Sequence, residues 1–275
     1  MLSRAFGIAL WVALAAAVLF LTLPLLALFL RVPPVELVAQ LGSERAREAL
    51  RVSLTTSLVA HTLILGFGTP AAYLLATKSF RGRSLVVALL ELPLVVPPAV
   101  AGIGLLAAFG RSGLLGDELG ALGLSIPFTQ LAVVLAVCFV ASPFYVRGAI
   151  AAFEAVDPRL LDASRTLGAD RGRTFRRVAL PLAAGGLGAG STLAFARGLG
   201  EFGATIMFAG SLPGLTQTAP LAIYDSLDQD FDVALALGAL FVVFSISILL
   251  AAKLIPSWTR SGSISPFPFA RSRST

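Results

Sequence analysis

Apolar residues run through this chain in long stretches, and the polar positions fall between those stretches instead of alternating within them. No charged residue occurs from 5 to 30. At about 1.5 Å per residue that length exceeds a bilayer core of about 30 Å, which predicts a first membrane span over 8–30. Arg4 ahead of it has the look of a signal peptide's basic start. The apolar run is too long for one and no small-residue cleavage site follows, so the span is read as uncleaved. Further apolar stretches predict spans at 52–77, 85–109, 128–147, 181–208 and 233–255. Residues 32–51 read as a mixed-charge loop, and 256–275 as a disordered polar tail.

Two of these stretches carry breakers. The third contains Pro93, Pro97 and Pro98, then Gly102 and Gly104. Prolines free backbone carbonyls that lipid cannot satisfy, so this span has to break where it faces protein or water. The fifth carries Gly185, Gly186, Gly188 and Gly190, a small-residue surface that lets another helix approach closely. A further uncharged run at 202–224 is broken by Gly210, Pro213, Gly214 and Pro220, and reads as the end of span five plus an extracytoplasmic or re-entrant loop.

Charge decides between six spans and seven. Six spans place fifteen basic residues on one side of the membrane and five on the other. The basic-rich side faces the cytoplasm, so both termini are expected there. Composition agrees: only 13% of residues are charged, against about 25% in a soluble domain. The reading is an all-α membrane protein of six transmembrane helices. The net charge of +6 is dispersed between spans, which argues for topology and against nucleic acid as a partner. One cysteine, Cys138, and one histidine, His61, exclude an internal disulfide and leave too few soft ligands for a protein-only zinc site. Both read as helix-contact residues.

The longest polar segment, Asp157 to Pro181, carries six arginines and three aspartates between two spans. Asp157 followed by Pro158 is a helix N-cap with proline at the first helical position. Leu160, Leu161 and Leu167 give it an apolar face, and Gly168 stands where a helix end takes a left-handed residue. The segment, 157–180, reads as a helical hairpin shaped to be held by another molecule. Within it, Asp162-Ala163-Ser164 is followed after three residues by Gly168 and later by Val178, Leu180 and Pro181. This spacing resembles the signature loop of bacterial ABC-importer permeases, with Asp for Glu, Ser for the second Ala and Val for Ile. The resemblance implies that Asp162, Ala163, Ser164, Gly168, Leu180 and Pro181 form a coupling element held by a cytoplasmic ATP-binding subunit. It also implies a second copy of this chain, an extracytoplasmic oxyanion-binding protein and surrounding membrane lipid as partners, in a bacterial inner membrane.

Phe195-Ala-Arg197-Gly-Leu-Gly-Glu201-Phe-Gly203-Ala-Thr-Ile-Met207, with Thr216-Gln217-Thr218 beyond it, is similar to the molybdate branch of that family. The sulfate and thiosulfate branch shares the Arg-x-x-x-Glu-Phe-Gly-Ala core, and tungstate is a further alternative substrate. The resemblance implies no covalent chemistry. Pro97, Pro98, Arg197, Glu201 and Gly203 are the candidates for the translocation path. Arg197 and Glu201, four residues apart, are read as one face of one helix and so as a pair whose charges could be exchanged.

The rival motifs are weak. Gly198 to Gly203 matches a dinucleotide fingerprint but lies within an apolar helix, without the strand that fold requires. Gly110-Arg-Ser112-Gly113 resembles the serine motif of rhomboid-type proteases, which would make the chain an intramembrane enzyme using Ser112 or His61. That motif wants a later histidine, and His61 comes earlier. No Gly-Lys-Ser or Gly-Lys-Thr occurs, so no nucleotide site is expected in this chain and no cofactor or metal either. ATP and magnesium belong to the partner subunit. A secondary transporter would leave the hairpin without a role.

Overall fold

The computed structural model describes residues 4–260, and all the regular structure among them is helical. The chain opens with α1 (Arg4–Arg31), the short α2 (Pro34–Gly42) and the long α3 (Glu44–Thr77). Residues 32–51 are therefore mostly helical and not a loop. Ser43 caps α3 by accepting the Ala46 N–H at 3.2 Å, and Ala46, Ala49, Val52 and Ser53 continue the buried stripe of the span. Arg47 and Arg51 stay exposed on the opposite face, while Arg45 lies at the edge of the stripe and donates to Ser226 at 3.3 Å and Gln229 at 3.4 Å. Their charge suggests a loop, although the apolar period runs unbroken beneath it.

The third span is folded over on itself. Helix α4 (Arg83–Glu91) runs into a 3₁₀ turn at Leu92–Leu94, and α5 (Pro98–Phe109) leaves at 111° to it. Val96 and Pro97 each precede a proline, which disfavours helical backbone, and Pro97 is extended at φ −55 and ψ 135. A short α6 (Gly116–Ala121) follows, and then α7 (Gln130–Glu154), capped by Thr129.

Helix α7 is the central post of the bundle, packed along its length by α3 and by α10 (Leu180–Leu199). Its contact with α10 is made by small residues. A β-carbon on Gly186 would stand 2.5 Å from that of Ala152, and one on Gly148 would stand 3.2 Å from the Gly190 Cα. His61 bridges α3 to α10 through Ser191, Nε2 to Oγ at 2.8 Å, and Cys138 donates weakly to the Ala60 carbonyl at 3.5 Å. Ser112 is exposed in a turn of the loop after α5.

Between α7 and α10 stand α8 (Pro158–Thr166) and α9 (Arg171–Thr174). After α10 come α11 (Gly203–Ala209), α12 (Ala219–Leu227) and α13 (Phe231–Arg260). Helix α13 carries the chain to Arg260, five residues into the segment read as tail, and 261–275 lie outside the described residues. Among the described residues, five helical stretches are long and apolar enough to cross a membrane, and the bent pair α4–α5 makes six when counted as one span.

Candidate functional site

The residues singled out by sequence fall into two groups, one at each end of α10. At its N-terminal end the hairpin is built by local capping. The Asp157 carboxylate accepts the Arg159 N–H at 2.9 Å and Pro158 opens α8. The helix ends at Leu167, and Gly168 takes φ +85, which lets the Ala169 N–H reach back to the Ser164 carbonyl at 3.1 Å. Asp170 then caps α9 through the Arg173 N–H at 2.8 Å. That bond, helped by the guanidinium charges of Arg173 and Arg176, holds the Asp170 carboxyl below its ordinary range.

Ser164 Oγ and Thr174 Oγ1, 2.7 Å apart, brace the two arms of the hairpin, and Thr174 is fully buried. Asp162 and Ala163 are exposed, with Asp162 paired to Arg165 at 3.1 Å. The apolar face is split. Leu161 is buried against the bundle, whereas Leu160 and Leu167 are 47% and 88% exposed, so only one of the three leucines packs inward.

Phe175–Ala179 form a π-helical turn leading into α10. Pro181 explains its place: a proline ring collides with the carbonyl four residues back, here that of Arg177, and widening the turn relieves the collision.

At the other end α10 stops at Leu199, and Glu201 lies beyond it in a short break. Glu201 is 2% exposed. Its Oε1 accepts the Ala204 N–H at 2.8 Å and so caps α11. Arg197 Nη1 stands 2.7 Å from Oε2, an ion pair whose angle falls short of a hydrogen bond. The two charges are thus not interchangeable, because position 201 must accept a backbone N–H and arginine only donates. The Gly198–Gly203 stretch, read as part of one helix, straddles this break.

The two broken spans meet here. A β-carbon on Gly203 would lie 2.9 Å from the Pro98 Cβ, and one on Gly102 would lie 2.6 Å from the Ala204 carbonyl oxygen. Neither position has room for a side chain, so α5 and α11 touch backbone to backbone. Pro98, Gly203, Glu201 and Arg197 form one neighbourhood, and Pro97 caps α5 beside it.

A polar belt lies next to this junction, of which the sequence reading had named only the Thr216–Thr218 run. Asp225 Oδ2 accepts from Ser211 Oγ at 2.6 Å and from Gln217 Nε2 at 2.7 Å, tying the loop before α12 to that helix. Ser53 of α3 accepts the Ala219 N–H at 2.7 Å and so caps α12 from another span. The Thr205 and Thr218 hydroxyls are buried without a hydrogen-bond partner. Nothing in this arrangement pairs a nucleophile with a base and an orienting group. His61 is bonded to Ser191, and Ser112 has no part in it. What the junction offers is a set of close contacts between a folded-over span and the helix that follows the break after α10.

Residues 68–261 match the family of binding-protein-dependent transport system inner membrane components. The chain belongs to that family. It is a membrane-spanning permease subunit, and its hairpin and broken spans are parts of a transporter. The molybdenum transport system permease protein ModB of Mycobacterium tuberculosis is 42% identical over 87% of this permease and 92% of its own length. The sulfate transport system permease protein CysW of Synechococcus elongatus is 35% identical over 78% of each chain. Among solved structures, a bacterial alginate ABC transporter, determined in complex with an alginate-bound periplasmic protein, superimposes with a TM-score of 0.78. The match covers 95% of this permease and 96% of that chain at 17% identity, which speaks for the fold alone.

Proposed function

We propose that this permease is the membrane subunit of an ATP-driven molybdate importer. The observation that carries the reading is the hairpin, whose tip presents Leu160 and Leu167 uncovered beside the exposed Asp162. Two leucines left open on a charged cytoplasmic loop call for a cover, and a cleft in an ATP-binding subunit supplies one. Two copies of the chain form the path, and each hairpin, with both termini, faces the cytoplasm. The ATP-binding subunits hold ATP and magnesium; this chain holds no cofactor. An extracytoplasmic binding protein delivers the oxyanion.

Closure of the ATPase pair moves the hairpins, and α10 carries that motion to the junction of α5 and α11 at its far end. Pro97, Pro98 and Gly203 let the two broken spans bear directly on each other there. Arg197 stands beside the path with its charge offset by Glu201, so a dianion meets a positive site that does not retain it. Greater identity to the molybdenum permease than to the sulfate permease supports molybdate as the cargo.

The test is uptake of labelled molybdate into vesicles holding the whole assembly, with tungstate or sulfate as competitor. Tungstate competes strongly and sulfate weakly if the reading is right. Equal competition by sulfate moves the permease to the sulfate branch, and uptake that proceeds without ATP removes the coupling role.

A further inference from the structure

The basic residues at the base of the hairpin are not consumed by the contacts described so far. Arg171, Arg173, Arg176 and Arg177 are all exposed, and no carboxylate oxygen lies within ion-pair distance of any of them among the described residues. Arg176 only donates to the Gly172 carbonyl at 3.4 Å. The acid beside them, Asp170, spends its carboxylate on the α9 cap and meets the Arg173 and Arg176 charges only from beyond ion-pair distance. By contrast Arg83, on the same side, is fully engaged by Glu154 at 2.6 Å and by the Leu75 carbonyl at 2.7 Å.

Their direction and depth are set by the fold. Phe175 points inward, with its ring centroid 4.8 Å from that of Tyr73 and 6.2 Å from that of Phe153. Thr174 and Ala179 are buried on the same side. Arg176 and Arg177, between these anchors, are turned out. From Val178 to Ala196 there are nineteen residues without a charge. At about 1.5 Å each they cover about 28 Å, close to the thickness of a hydrocarbon core. Arg176 and Arg177 therefore stand one step outside that core, at the level of lipid phosphates. The Tyr73 contact brings the end of α3 alongside, and the exposed Lys78 caps that end five residues later.

We propose that Arg176 and Arg177, with Lys78, form a site for the phosphate headgroup of an anionic phospholipid of the cytoplasmic leaflet. The proposal rests on the cytoplasmic placement of the hairpin argued above. An acidic surface of the ATP-binding subunit is the competing occupant. The arginines' place decides against it: they lie at the base of the hairpin, where the chain enters the bilayer, on the far side of the Gly168 turn from the exposed tip of α8. A lipid held there would pin the pivot about which the hairpin moves.

The experiment uses the whole purified importer, stripped of lipid in neutral detergent and titrated with phosphatidylglycerol or phosphatidylcholine, with bound lipid counted by native mass spectrometry. The wild type prefers phosphatidylglycerol. Arg176→Gln with Arg177→Gln lowers that preference about thirtyfold, as expected for two cations lost at a membrane surface. Arg176→Lys with Arg177→Lys retains most of it, and the ATP-binding subunits co-purify with both variants. Should the glutamine pair fail to fold, Lys78→Gln alone lowers the preference about fivefold. Equal binding of the two lipids by the wild type overturns the proposal, and so does an unchanged preference in the glutamine variant. Loss of the ATP-binding subunits with lipid preference intact assigns the arginines to a protein contact instead. Displacement of the lipid by millimolar inorganic phosphate makes this a free-anion site. No nucleotide or oxyanion enters the titration, so it stands or fails independently of molybdate uptake.

Discussion

Replacing Glu201 with alanine tests whether the buried carboxylate holds the junction together. Two things are lost. The Ala204 N–H, now capped at 2.8 Å, is left in a buried site without an acceptor. An unsatisfied buried donor costs about 1–3 kcal/mol. Arg197 also loses its partner at 2.7 Å. Removing one partner of a fully buried pair costs about 3–5 kcal/mol. The Arg197 side chain is 29% exposed, so about 1–2 kcal/mol is the fitting share here. Together these give about 3 kcal/mol, or a fall in melting temperature of about 6–12 °C for a chain of this size. Glu201→Gln keeps an acceptor for the cap and gives about half that fall. Exchanging the charges, Arg197→Glu with Glu201→Arg, is no better than Glu201→Ala, since arginine cannot cap α11. The single cysteine provides the assay: Cys138 is partly covered in α7, and a thiol-reactive dye reports its exposure as the bundle melts. A Glu201→Ala protein melting within about 2 °C of the wild type would refute the reasoning.

Three further outcomes follow from the same geometry. Gly168→Val leaves insertion intact but strains the hairpin at φ +85, so the ATP-binding subunits are held weakly and uptake falls at least tenfold; co-purification and vesicle uptake read both. Gly102→Val puts a side chain where a β-carbon already meets the Ala204 carbonyl at 2.6 Å, which drives α5 from α11 and lowers the melting temperature by several degrees with uptake abolished. Ser53→Ala removes the acceptor for the Ala219 N–H at 2.7 Å and destabilises by about 1–3 kcal/mol, measured as earlier hydrogen exchange in α12 than in α13.

The membrane helices and the hairpin were legible because their signals are one-dimensional. Run length marks the spans, and Asp157-Pro158 and Gly168 mark the ends of α8. The start of α3 was hidden because Arg47 and Arg51 lie on the open side of a helix whose other side keeps its apolar period, with Arg45 at its edge reaching Ser226. The break at Gly200–Phe202 was hidden because glycines in a membrane span serve close packing and chain breaks alike, and only the Glu201 cap on Ala204 separates the two uses. The Ser211–Gln217–Asp225 ties and the Ser53 cap on α12 join residues up to 166 positions apart, and no local pattern announces such contacts.

The small-residue seam between α7 and α10 bears on mechanics. The hairpin is not slung between two independent helices; it joins a pair whose backbones approach closely, at Gly148–Gly190 and Ala152–Gly186. Interlocked at that distance, the pair cannot absorb a push by sliding and has to tilt as one stiff rod. Helix α7 has 25 residues and is about 37 Å long, so a tilt of about 10° at the hairpin swings its far end by about 6 Å. A displacement of that size is wide enough to admit or exclude a small hydrated anion, and it needs no bending anywhere along the rod.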